Sequence, residues 1–136
     1  MIVSKGFLMK RLLFFVMAIA LHSADIEWFY DYKEALDTAK KEHKNILVFM
    51  SQPGCGSCEY MKENVFVDAG VEAYMNAHYI ALNFSIYDEE VPEHLKVRVT
   101  PVFHFLNGEG EPIHAKLIGG KTPPFFLKAL QEAGKK

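Results

Sequence analysis

The stretch that decides the fold is ILVFMSQPGCGSCEYMKENVF, residues 46–66. It opens with five apolar residues, Ile46 to Met50, without a polar break. Strands buried on both faces of a sheet read this way. Ser51-Gln52-Pro53-Gly54 ends the run. Cys55-Gly56-Ser57-Cys58 follows, and then Tyr60, Met61 and Val65 at helical spacing. The reading is a buried strand, a tight break and a helix with a CxxC at its head.

That placement has a chemical consequence. A helix N-terminus carries about half a positive charge and free N–H donors. Cys55 at that end, exposed to solvent, is favoured as the thiolate, the nucleophilic form. Cys58 lies one turn further in, on the same side and more buried. It is placed to attack a mixed disulfide formed at Cys55. Two other uses of the pair stay open. A structural bridge would close a very short loop, where the gain in chain entropy is small. A metal site would need more ligands than one CxxC supplies. His78, His94, His104 and His114 are scattered, with no HxxxH pair among them.

Outward from this unit, the chain alternates helices and strands. Asp31 to His43 reads as a helix, with Tyr32, Ala35, Leu36 and Ala39 on one face and Asp31 as its cap. Asp68 caps a second short helix through Asn76, with Val71 and Tyr74 inward. Tyr79 to Phe84 is a strand. Asp88 to Lys96 is expected to be a short acidic helix with Pro92 in its first turn. The acidic run Asp88-Glu89-Glu90 reads as a solvated helix start or a face for a basic partner. Val102 to Leu106 is a strand after Thr100-Pro101. Asn107-Gly108 signals a hairpin, with Ile113 to Ile118 returning antiparallel. Pro123-Pro124 opens a last helix carrying Phe126, Leu127 and Leu130. Alternating units give parallel pairs and the hairpin adds an antiparallel ribbon. The expected class is α/β, a mixed central sheet flanked by helices.

The chain has 136 residues, 50% apolar and 24% charged. That is one domain's worth and not a disordered composition. A net charge of -2 and a pI near 6.3 argue against a nucleic-acid binder. GxGxxG and GxxxxGK[ST] are both absent, so no nucleotide, flavin or nicotinamide cofactor is expected. The only redox group expected is the Cys55–Cys58 pair.

Residues 1–24 stand apart. Lys5, Lys10 and Arg11 precede ten unbroken apolar residues, Leu12 to Leu21. A membrane span needs about 20, so this reads as a secretory signal. An uncut inner-membrane anchor and a buried N-terminal helix are the alternatives. Met1 or Met9 can be the start, and Ala24 or Ser23 the last signal residue. The domain expected to remain is 25–136. Its basic residues fall from 15 to 12 against 17 acidic, a net charge of -5.

From Trp28 to Ala133 the chain resembles the thioredoxin-like superfamily. The features that carry this are the strand–CxxC–helix unit, Thr100-Pro101 before VFHFL, and the closing hairpin and helix. AKKEHKNILVFM and CGSCEYMKENVFVDAGVEAYMNAHYIALN are similar to exported bacterial members, the thioredoxin-7 group and the C-terminal domain of DsbD. The resemblance implies a thioredoxin-like fold and thiol–disulfide oxidoreductase activity in the periplasm, in the reducing direction more than the oxidising or isomerising one. It implies catalytic Cys55 and Cys58, tuned by Gly56 and Ser57. It implies a cis Pro101 and a Thr100 backbone that pairs with substrate. Partners implied are disulfide-bearing envelope proteins and a DsbD- or CcdA-like membrane electron donor. Three positions depart from thioredoxin. Gly54 stands where it has Trp, Phe49 where it has a buried Asp, and Ala81 where it has the Lys that pairs with that Asp. Glu59 and Glu63 are the candidates to replace the missing acid, or else a solvated helix face.

Overall fold

The computed structural model describes residues 25–135. The segment read as an export signal lies outside them. The elements are β1 (Trp28–Phe29), α1 (Tyr32–Glu42), β2 (Asn45–Ser51), α2 (Gly56–Tyr60), a π-helical turn (Met61–Val65), α3 (Ala69–His78), β3 (Tyr79–Ser85), a 3-10 turn (Glu93–Leu95), β4 (Val102–Leu106), β5 (Leu117–Ile118) and α4 (Pro123–Ala133).

Strand order is β1-β3-β2-β4-β5. β2 and β3 run parallel, with Leu47 beside Ala81 and Phe49 beside Asn83. β4 is antiparallel to β2, with Phe49 beside Phe103. Side chains alternate across the sheet, so β2 feeds two cores. Leu47 and Phe49 join Phe103, Phe105, Phe126, Met61 and Cys58 on one face. Ile46, Val48 and Met50 join Ala35 and Ala39 of α1 on the other. Burial on both faces explains the unbroken ILVFM run.

Helix starts follow the sequence closely. Asp31 accepts a hydrogen bond from the Glu34 N–H at 2.7 Å. Asp68 accepts from the N–H groups of Gly70 and Val71 at 3.0 and 3.1 Å. Each satisfies donors that the first helical turn leaves unpaired.

Two expectations need correction. Asp88 to Lys96 is a series of turns with one 3-10 turn. Val91 precedes Pro92, and a residue in that position is disfavoured in the α region. Pro92 itself is extended, with φ -55° and ψ 143°. The Asp88 carboxylate closes a turn on the Ser85 N–H at 2.8 Å and does not cap a helix.

The return strand is also shorter than Ile113 to Ile118. Leu106 pairs with Pro112 and Phe103 with Leu117. Between those pairs, His104 and Phe105 on β4 face Ile113 to Lys116 on the returning chain. The surplus bulges out and interrupts the ladder. The turn itself is wider than a two-residue Asn-Gly loop. The Asn107 side-chain oxygen accepts from the N–H groups of Glu109 and Glu111. Gly110, at φ +82°, takes the left-handed position.

His104 is the one histidine buried among the described residues, at 9% exposure. Its Nε2 lies 3.0 Å from the Leu95 carbonyl and ties β4 to the 3-10 turn. Burial holds its pKa below the ordinary 6.5; the Leu95 carbonyl opposes that shift, and Lys116 and His94 add to it. The unfolded chain therefore takes up a proton near pH 6.5 that the folded chain refuses. Stability should fall as pH drops from about 6.5 toward the lower folded value. Urea midpoints measured at about pH 7 and about pH 5 should show the loss, and a His104→Gln variant should show a smaller one. Equal pH dependence in the two proteins would refute this origin.

Candidate active site

Two elements carry the cysteines. β2 ends at Ser51, where Ile86 N–H donates to the Ser51 carbonyl at 2.9 Å. The chain then turns through Gly54, whose φ of +75° suits a residue without Cβ. The Cys55 N–H donates to the Gln52 carbonyl at 3.4 Å and closes the turn. Cys55 is the N-cap of α2, and its Sγ accepts from the Cys58 N–H at 3.1 Å.

Cys55 and Cys58 form a disulfide, with Cα atoms 5.2 Å apart. The two sulfurs differ in environment. Cys58 is fully buried, packed with Phe49 and Met61 in one core. Cys55 is half-buried at its edge. Gly56 and Ser57 between them are exposed.

The Thr100–Pro101 peptide bond is cis. Pro101 is buried and Thr100 half-buried. The Thr100 Oγ1 is buried with no hydrogen-bond partner among the described residues. The Pro101 carbonyl accepts from the Gly119 N–H at 2.9 Å. A Cβ placed on Gly120 would sit 3.4 Å from the Ser57 Cβ. The Gly119-Gly120 segment thus joins the proline loop to the CxxC.

Beneath the cysteines the site is apolar. Phe49 is fully buried and stacks on Phe103 at 5.4 Å and 13°. It also meets Phe66 at 5.1 Å and Trp28 at 5.9 Å. The only buried polar residues among those described are Ser51 and His104, so no carboxylate lies in the core. Glu59 and Glu63 are exposed, and Glu59 pairs with Lys62 at 3.3 Å. They form the solvated face. Ala81 sits across from Leu47 and not from Phe49.

Sequence reading did not single out the Gly119–Lys121 segment or Met61 as parts of the site. The Met61–Lys121 contact is formed across 60 residues of chain. The Gly-Gly pair was the one local signal. Among the described residues there is no group of three or more His, Cys, Asp or Glu side chains able to hold a metal ion, and no helix long and apolar enough to cross a membrane.

The thioredoxin-like domain family matches residues 32–134. The chain belongs to the thioredoxin-like family. Its fold, with a CxxC disulfide at the head of a helix, makes this thioredoxin-like chain a thiol–disulfide oxidoreductase. The chain is similar to a thioredoxin from Thermus thermophilus, at 26% identity and a TM-score of 0.68, over 80% of this chain and 87% of that one. It is also similar in fold to the DsbD C-terminal domain of Neisseria meningitidis, at 20% identity and a TM-score of 0.63, over 79% and 99%. Among curated proteins, mouse spermatogenesis-associated protein 20 is 31% identical over 98 residues, 72% of this chain. The chain spans 12% of that relative's length.

Proposed function

We propose that this thioredoxin-like domain is an exported reductase of protein disulfides, working in the periplasm. The observation that carries the dithiol exchange is the asymmetry of the pair, with Cys55 half-buried at a helix start and Cys58 fully buried behind it; the reducing direction follows the resemblance to exported members of the family. In the reduced protein the Cys55 thiolate attacks one sulfur of a partner disulfide. A Cys55–partner bond forms, the partner bond breaks, and one partner sulfur leaves as thiolate. Cys58 loses its proton and attacks the Cys55 sulfur. The Cys55–Cys58 bond forms, the second partner sulfur is released, and two electrons have passed to the partner.

Thr100 and Pro101 line the groove in which the partner backbone lies. Gly56 and Ser57 set how tightly α2 begins between the sulfurs. Export is supported by the basic residues and short apolar run of residues 1–24. A reductase in an oxidising compartment needs a source of electrons, which an inner-membrane DsbD- or CcdA-like protein would supply. Disulfide-bearing envelope proteins are the clients.

The reduction potential tests the direction. A value near that of thioredoxin, about -270 mV, is expected. A value near about -120 mV, as in DsbA, would make the chain an oxidant and end the reductase reading.

A further inference from the structure

The segment Gly119 to Lys121 approaches both halves of the site at three points, two of them hydrogen bonds. Gly119 donates its N–H to the Pro101 carbonyl at 2.9 Å. Gly120 passes close enough to Ser57, between the cysteines, that an added Cβ would touch the Ser57 side chain. Lys121 donates its backbone N–H to the Met61 Sδ at 3.3 Å. The third contact is unusual in kind. A backbone amide at the edge of the site is satisfied by a thioether and not by a carbonyl.

Met61 is suited to that use by its place in the fold. It is fully buried and belongs to the same core as Cys58 and Phe49. It stands where α2 passes into the π-helical turn Met61–Val65. Its own N–H donates to the carbonyls of Cys58 and Ser57. One residue therefore ties the backbone of the CxxC to the Gly119–Lys121 segment. A π-helical turn inside a helix is found often at functional sites. Here it immediately follows the turn that carries the disulfide.

We propose that Met61 is a positioning residue for partner binding. Its thioether fixes the Gly119–Lys121 segment at the width the partner backbone requires. This rests on the groove described under the proposed function. Leucine keeps the volume and apolar character of methionine, so packing survives, but it offers no acceptor. The Lys121 N–H is then left to solvent and the segment moves more freely. Ordering it again falls on the binding step.

The test uses the full chain and a peptide disulfide as substrate. Met61→Leu should raise KM about threefold, the scale of one weak net hydrogen bond, with kcat unchanged. Amide hydrogen exchange at Lys121 should speed up, while the urea midpoint stays close to wild type. Selenomethionine labelling, which keeps a chalcogen acceptor at residue 61, should leave KM at the wild-type value. A second route leaves Met61 in place. Lys121→Pro removes the donor, and should raise KM above that of a Lys121→Ala control. The Met61→Leu and Lys121→Pro effects should not add, because both break one contact. A wild-type KM in folded Met61→Leu overturns the proposal, as does unchanged exchange at Lys121. A fall in kcat with KM constant also overturns it. Failure of the wild-type protein to reduce any peptide disulfide would instead remove the reductase reading, and this inference with it.

Discussion

Cys55→Ser is expected to bring disulfide reduction down to the uncatalysed background. The reason is chemical and local. A serine hydroxyl at a helix start is not ionised at neutral pH and is a poor nucleophile toward sulfur. Cys58 cannot take over, because it is fully buried behind Cys55. Cys58→Ser has a different expected outcome. Its Cys55 still attacks, but nothing resolves the product, so covalent complexes with partner proteins accumulate. Non-reducing gels should show them for Cys58→Ser and not for Cys55→Ser. Both variants should fold. The bridge spans a sequence separation of 3, and the chain-entropy gain from so short a loop is at most about 2 kcal/mol. Activity retained in folded Cys55→Ser, or trapping by that variant and not by Cys58→Ser, would reverse the assignment of the two sulfurs.

Much of this was legible because the deciding signals are local. The ILVFM run needs only a sheet covered on both faces, and β2 has one. Asp31 and Asp68 act on N–H groups two or three residues away, so their caps can be read directly. The failures have physical causes as definite. β1 is two residues, too short for alternation to register. The Asp88 to Lys96 stretch has helix-like composition, but the carboxylate of Asp88 and the ring of Pro92 prefer turns. The returning strand has good alternation, yet its surplus residues bulge. The Met61–Lys121 contact joins residues 60 apart, and no periodicity encodes it. At the site, the CxxC and the Thr100-Pro101 step were read in sequence, and the structure has a disulfide at the first and a cis bond at the second. The Gly119–Lys121 segment was not, because its contacts use backbone donors that any residue but proline carries.

Phe49 marks where this chain departs from the thioredoxin pattern, and substitution there should have the largest effect on stability. The side chain is fully buried and packs against Phe103, Phe66 and Trp28. Phe49→Ala should cost about 3–5 kcal/mol, from lost transfer energy and the cavity left behind. A domain of this size has about 5–15 kcal/mol in total, so that variant should sit close to its unfolding threshold. Phe49→Asp, the residue type that the resemblance to thioredoxin implies for this position, should be worse at neutral pH. The carboxylate would be surrounded by aromatic rings. Its neighbour on β3 is Asn83, and Ala81 lies across from Leu47. With no cation to offset desolvation, the folded state would hold the carboxyl neutral, with its pKa raised above the unfolded value of about 3.9. A raised pKa means stability is lost as pH increases through and above that value. The gap in urea midpoint between wild type and Phe49→Asp should therefore be wider at about pH 7 than at about pH 5. His104 is present in both proteins and cancels in that difference. The same argument bears on the chemistry. With no buried carboxylate among the described residues, the Cys58 proton has no acid–base partner in the core and must leave toward solvent. The resolving step should then follow the Cys58 thiol alone, without a carboxylate inflection in its pH profile. If Phe49→Asp folds as stably as wild type at neutral pH, and resolves mixed disulfides faster, the aromatic core is not what excludes the acid.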